Sequence, residues 1–127
     1  MLVVLDTHAA LWWTLEPARL GKGARQAIAD ADRIGIPTIA FWETALLVRK
    51  GKLALQLAVA EWANRVLAIP RVEALPLTTA IALQSDALVM HADPADRFIV
   101  ATAIEESSRL VTKDRLLRRL KVVKTVW

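Results

Sequence analysis

HADPADRFIVATAIEESSRLVTKD, residues 91–114, reads as a helix followed by a strand. Asp93 has the character of an N-cap, Pro94 suits the first helical position and Asp96 falls in the first turn. Phe98 to Ile104 is apolar almost all round, which predicts a helix buried on most sides. Glu105 to Ser108 end it. Leu110-Val111-Thr112 then makes a short apolar strand, with Asp114 just past its C-terminal end. Asp96 is the anomaly, because Val100 and Ala103 share its helical face and are core types. Its carboxylate either complements the helix terminus, an effect of ~0.3–1 kcal/mol, or belongs to a site. The acids elsewhere in the chain bear on that choice.

At the far end of the chain, Met1 to Leu5 is a continuous apolar run closed by Asp6. This fits a buried parallel strand with a carboxylate at its tip. Thr7-His8 opens a helix to Leu15. Leu20, Ala24, Ala27, Ile28 and Ala31 mark a second helix, ending near Arg33. Residues 35–40 read as a strand with Pro37 near its start, and Phe41-Trp42-Glu43 begins a helix stopped by Gly51. Leu55, Val59, Trp62 and Val66 mark a fourth helix, ended by Pro70. Residues 72–77 suit a strand, and Thr78-Thr79 cap a helix to about Val89. A short basic helix over 115–120 and a strand over 122–126 follow the opening stretch.

Strands alternating with helices predict a parallel sheet covered on both faces. No repeat or linker divides the chain, so residues 1–127 are expected to form one domain. Ligands of such sheets bind beyond the carboxyl ends of the strands. Asp6 and Asp114 are expected at that edge, Glu43 at the start of the helix after a strand, and Asp96 in a first helical turn near it. Four acids from four distant segments can therefore meet. No single spacing is specific; the convergence is. Crowded carboxylates repel and raise one another's pKa, so a fold gains from them only with a cation. An all-oxygen set without cysteine suits Mg²⁺ or Mn²⁺, which points to metal-assisted phosphodiester hydrolysis.

Composition agrees. The 127 residues include no cysteine, which excludes disulfides and thiolate metal sites and suits a reducing cytoplasm. Hydrophobic residues are 55% and mean hydropathy is +0.36, enough for a well-filled core. No apolar run is long enough to span a membrane, and no basic lead precedes Leu2, so no secretory leader is expected. Net charge is +4, with basic residues crowded over 113–124 and at Arg49, Lys50 and Lys52. These are either solvated helix faces or the footprint of a polyanion, nucleic acid first.

The blocks LDTHAALWW, WETALLVRKGKL, HADPADRFIVATA and LVTKD, in that order and with the closing VVKTVW, resemble the PIN-domain family, specifically its VapC-type toxins of bacterial toxin–antitoxin pairs. The resemblance runs over nearly the whole chain. It implies a three-layer α/β/α sandwich with a central parallel sheet and a metal-dependent endoribonuclease activity. It also implies a homodimer, and inhibition by a cognate antitoxin in the active-site groove. Carried over by position, Asp6, Glu43, Asp96 and Asp114 match the family's acidic quartet. Asp6, Asp96 and Asp114 are the candidate metal ligands; Glu43 would complete the shell or orient a water. Thr7 and Thr112 match supporting hydroxyls. Leu47 departs from the pattern: relatives of this subgroup often carry a basic residue there, one turn after the Glu.

Other residues have plainer readings. Asp93 needs no role beyond its cap, and His8 is first a polar helix-start residue. His91, Arg97 and Lys113 are candidate RNA contacts, Arg97 either as a phosphate holder or as a partner to an acid. Trp12, Trp13, Trp42 and Trp62 read first as core or dimer interface and second as base-stacking groups. A receiver-type signalling module would want paired acids after the first strand, where this chain has Asp6 alone. A non-catalytic binder of the same fold has no use for all four acids. Within the family, a housekeeping RNA-processing nuclease is the alternative to a toxin.

Overall fold

The computed structural model describes all of residues 1–127. Strand β1 (Leu2–Leu5) lies at its centre with both faces covered. Val3 and Leu5 enter one core, Leu2 and Val4 the other, so no polar residue can interrupt the run. Around it the chain forms α1 (Thr7–Leu15), a 3₁₀ turn (Pro17–Arg19), α2 (Lys22–Asp30), β2 (Arg33–Pro37), α3 (Thr38–Arg49) and α4 (Val59–Leu67). Then come β3 (Val72–Leu75), α5 (Thr79–Ala87), α6 (Pro94–Glu105), β4 (Arg109–Val111), α7 (Arg115–Arg118) and β5 (Thr125–Val126).

All five strands are parallel, in the order β3-β2-β1-β4-β5. One face carries α1, α2 and α4 over Ile34, Ile36 and Val111; the other carries α6 and α7 over Leu75 and Leu110. This is the expected three-layer α/β/α sandwich. The chain winds from β1 to β2 and β3, then returns to the other side of β1 for β4 and β5. That reversal opens a crevice at the carboxyl ends of β1 and β4. No helix is long and apolar enough to cross a membrane.

Several boundaries differ from those read in the sequence: α2 ends at Asp30 and β2 already begins at Arg33, β3 ends at Leu75 and α5 at Ala87, and three further shifts bear on the site and the core. β2 ends at Pro37, and residues 38–40 already belong to α3, where Ala40 is fully buried and the Thr38 hydroxyl donates to the Leu75 carbonyl at 3.0 Å. Glu43 therefore stands in the second turn of its helix, not at its start. Leu55 precedes α4: Leu53, Leu55 and Leu57 turn inward while Ala54, Gln56 and Ala58 face water, the two-residue period of extended chain. The last strand is only Thr125–Val126; Val122 is exposed and Val123 fills the second core.

Candidate functional site

Each acid reaches the crevice by a local cause. Asp6 leaves the end of β1 and caps α1, its Oδ1 accepting from Ala9 N–H at 2.9 Å. Asp114 follows β4 and caps α7, its Oδ1 accepting from Leu116 and Leu117 N–H at 2.8 and 3.2 Å. Asp93 caps α6, accepting from Asp96 N–H at 3.0 Å, and thereby sets the turn that carries Asp96. Behind Asp96, Val100 and Ala103 are fully buried, which fixes the helix against the sheet. Glu43 comes from α3 and accepts from the Thr7 hydroxyl. The fully buried Thr112 ties two acids together: its hydroxyl donates to Asp6 Oδ2 and accepts from Asp114 N–H, the latter at 3.0 Å.

Asp6, Glu43, Asp96 and Asp114 line one hollow of about 470 Å³, with Thr7, His8, Trp12, Asp93 and Lys113. Three helix N-termini open toward it, those of α1, α6 and α7, and each adds partial positive charge. They do not neutralise the acids. Burial pushes the Asp96 carboxyl up to about 7, with Asp93, Glu43, Asp114 and Asp6 adding repulsion. Burial pushes Asp6 up to about 6 against the opposing bonds from Thr112 and Ala9 and the His8 charge, and Asp114 adds to the rise.

The acids offer oxygen donors only, His8 is the one imidazole in the hollow, and the chain has no thiol. No three His, Asp or Glu side chains converge closely enough to ligate one ion between them. That is not the cage of a stripped ion. It fits Mg²⁺ or Mn²⁺ retaining much of its water and completing its shell with phosphate oxygens.

The remaining candidates separate. Lys113 lines the hollow. His91 does not; its Nδ1 accepts from Asp93 N–H at 3.3 Å, so in the neutral ring the proton sits on Nε2. That nitrogen is buried without a hydrogen bond, 3.4 Å from Asp96 Oδ2. Arg97 pairs with no acid and turns its guanidinium to backbone instead. Its guanidinium donates to the carbonyls of Ser85, Leu88, Met90 and His91 at 2.9–3.0 Å, clasping the loop between α5 and α6. In the six residues between α5 and α6, the carbonyls of Leu88, Met90 and His91 accept no backbone hydrogen bond and would otherwise be unpartnered. Asp93 does more than cap: it lines the hollow, and its charge repels Asp96 more strongly than the other acids do. Its place one turn before Asp96 was the available signal. Of the tryptophans, Trp62 is buried and donates to Thr14 Oγ1 at 3.0 Å, Trp42 is exposed, and Trp12 lies at the hollow's edge.

The family model described as PIN domain matches residues 3–123. Ribonuclease VapC22 of Mycobacterium tuberculosis is 40% identical over 129 residues, covering 98% of both chains. Among solved structures, VapBC2 from Rickettsia felis, bound to a DNA fragment from their promoter, superposes with a TM-score of 0.71 at 17% identity, covering 98% of this chain and 97% of that one. A toxin–antitoxin complex from Klebsiella pneumoniae does so with a TM-score of 0.65 at 20% identity, covering 95% and 94%. At such identities the structural likeness is one of fold.

Proposed function

Because the chain belongs to the PIN-domain family, we propose that it is an endoribonuclease dependent on Mg²⁺ or Mn²⁺, acting in the cytoplasm as the toxin of a toxin–antitoxin pair. The observation that carries this reading is the crowding of four family-matched acids at the β1/β4 switch point of a basic protein. The name of the Mycobacterium tuberculosis relative supports the ribonuclease, and the Klebsiella complex supports a protein inhibitor.

Asp6, Asp96 and Asp114 would hold the ion, not all of them directly, the rest through its water. When bound, it neutralises phosphate charge, acidifies water and stabilises the leaving oxygen. The protein's own part is placement. Thr112 fixes the Asp6 and Asp114 segments relative to one another. Thr7 holds Glu43, which would orient the attacking water and accept its proton. Burial and the neighbouring acids hold the Asp96 carboxyl up at about 7, so a cation bound there would compete with its proton. Water attacks phosphorus, and the bond to the leaving ribose oxygen breaks.

Cleavage of bulk RNA by metal-stripped protein tests the reading. Activity should be absent in EDTA and return with Mg²⁺ or Mn²⁺. Full cleavage in chelator would overturn the metal assignment, and no cleavage under any divalent ion would overturn the nuclease.

A further inference from the structure

The acidic hollow has a neighbour. His8 and Trp12 line it on one side, and on their other side they line a second hollow of about 550 Å³. The second one has a different chemistry. Leu11, Leu53 and Leu55 give it apolar walls, and Arg19, Lys52 and one acid, Glu16, also line it. A polyanion entering the acidic hollow needs positive charge close by, and the nearest supply surrounds Trp12. The Arg19 guanidinium lies 4.3 Å from the Trp12 ring centroid and Lys113 Nζ 5.5 Å from it. Lys52 and Lys113 enter no ion pair, and Arg19 has only an exposed 3.6 Å contact with Glu16.

The ring itself is fixed. Trp127 meets it edge-on, at 5.6 Å and 66°. Trp127 is seated in turn against Gly21 and Gly23, where a Cβ would fall 2.6 and 2.5 Å from its atoms, and its carbonyl accepts from Gly23 N–H at 3.1 Å. The indole is thus braced, while the cations near it sit on long side chains. This is the arrangement of a stacking platform: a rigid aromatic surface between a phosphate site and a basic rim.

We propose that Trp12 stacks the base of the nucleotide next to the scissile phosphate, in single-stranded RNA, and that this base occupies the second hollow. The base displaces Arg19 from the ring, and Arg19, Lys52 and Lys113 take the flanking phosphates. The proposal rests on the ribonuclease reading and extends it to a substrate subsite. A base can reach the ring only when it is unpaired and unstacked, so duplex RNA is excluded at this position.

The test uses a single-stranded oligoribonucleotide carrying the cut site mapped with the wild-type protein. It is compared with versions bearing one abasic nucleotide on either side of the cut. One abasic position should raise the KM of the wild type by about tenfold or more, and the other should matter little. Trp12→Leu should raise KM on intact RNA to a similar extent and lose nothing further on the abasic RNA. Trp12→Phe should keep most of the affinity. Equal KM for intact and abasic RNA with the wild type overturns the subsite, and needs no variant to fold. Trp12→Leu that cleaves normally and only escapes a protein inhibitor gives the hollow to that partner instead, and also overturns it. A wild type that cuts no RNA sinks this proposal together with the nuclease; equal cutting of intact and abasic RNA sinks this proposal alone.

Discussion

At the N-terminal ends of β1, β2 and β3 two acids each find a base. The Met1 amine meets Asp32, and Arg33 meets Glu73 across the β2–β3 register. These partners hold the Asp32 and Glu73 carboxyls below their ordinary range. At the carboxyl ends the opposite holds. Five acids line one hollow, only Lys113 among its lining residues brings a permanent positive charge, and burial and repulsion push Asp6 and Asp96 up. Exposed opposite pairs are self-contained and add little to stability. A crowd of like charges is a standing cost to the fold, and it makes physical sense only where something positive is to be bound. Function is legible here as the end of the molecule that electrostatics alone would not have built.

The largest effect should follow from Asp96→Asn. The amide nearly matches the carboxylate in shape but is a poor ligand for a hard cation. Loss of several kcal/mol of charge stabilisation corresponds to a fall in cleavage on the order of a thousandfold. Rate measurements at saturating Mg²⁺ decide this. Unchanged catalysis would return Asp96 to the role of a helix-terminus charge.

Thr112→Val should have the next largest effect. Valine keeps the volume but leaves Asp6 Oδ2 and Asp114 N–H without their shared partner. Stability should fall by about 2 kcal/mol, and cleavage by roughly 10–100-fold, as for other groups that orient metal ligands. Since the Thr112 bond lowers the Asp6 pKa, that pKa should rise further in the variant, which carboxyl NMR titration would show. An active, equally stable variant would mean that the hydroxyl organises nothing.

Glu73→Gln, at the paired end, should have the smallest effect. Melting temperature and cleavage rate should both stay within the scatter of the wild type, because the pair it breaks lies in water. A large loss of activity would erase the contrast between the two ends.

Much of the acidic end is visible in the sequence because local pattern carries it. An all-apolar run stopped by Asp6 announces a central strand and its tip, and Asp93-Pro94 announces the turn that lifts Asp96. The features that escaped depend on distant neighbours. Glu43 moved to a second helical turn because α3 starts early, over β3 and the core. Leu53 to Leu57 alternate because they lie extended on a surface made by other elements. Arg97 looks like a phosphate ligand beside Asp96 until the carbonyls of residues 85–91 are seen around it. Nothing in the run Leu11-Trp12-Trp13 says which indole faces the hollow; that depends on Trp127, at the other end of the chain.

The most direct test is the melting temperature of metal-free protein as a function of pH. Asp6 and Asp96 have folded pKa values of about 6 and about 7, above their ordinary 3.8, so between these limits the folded state binds more protons than the unfolded. Stability should therefore fall as pH rises from about 5 to about 7.5. Below that window, protonation of Asp32 and Glu73 works in the other direction, because their folded values are lowered. Asp96→Asn should flatten the fall, match or exceed the wild type at the alkaline end, and gain less from added Mg²⁺. A variant that is less stable than the wild type, with an unchanged pH slope and the same response to Mg²⁺, would contradict the claim that this end of the sheet is built to hold a cation.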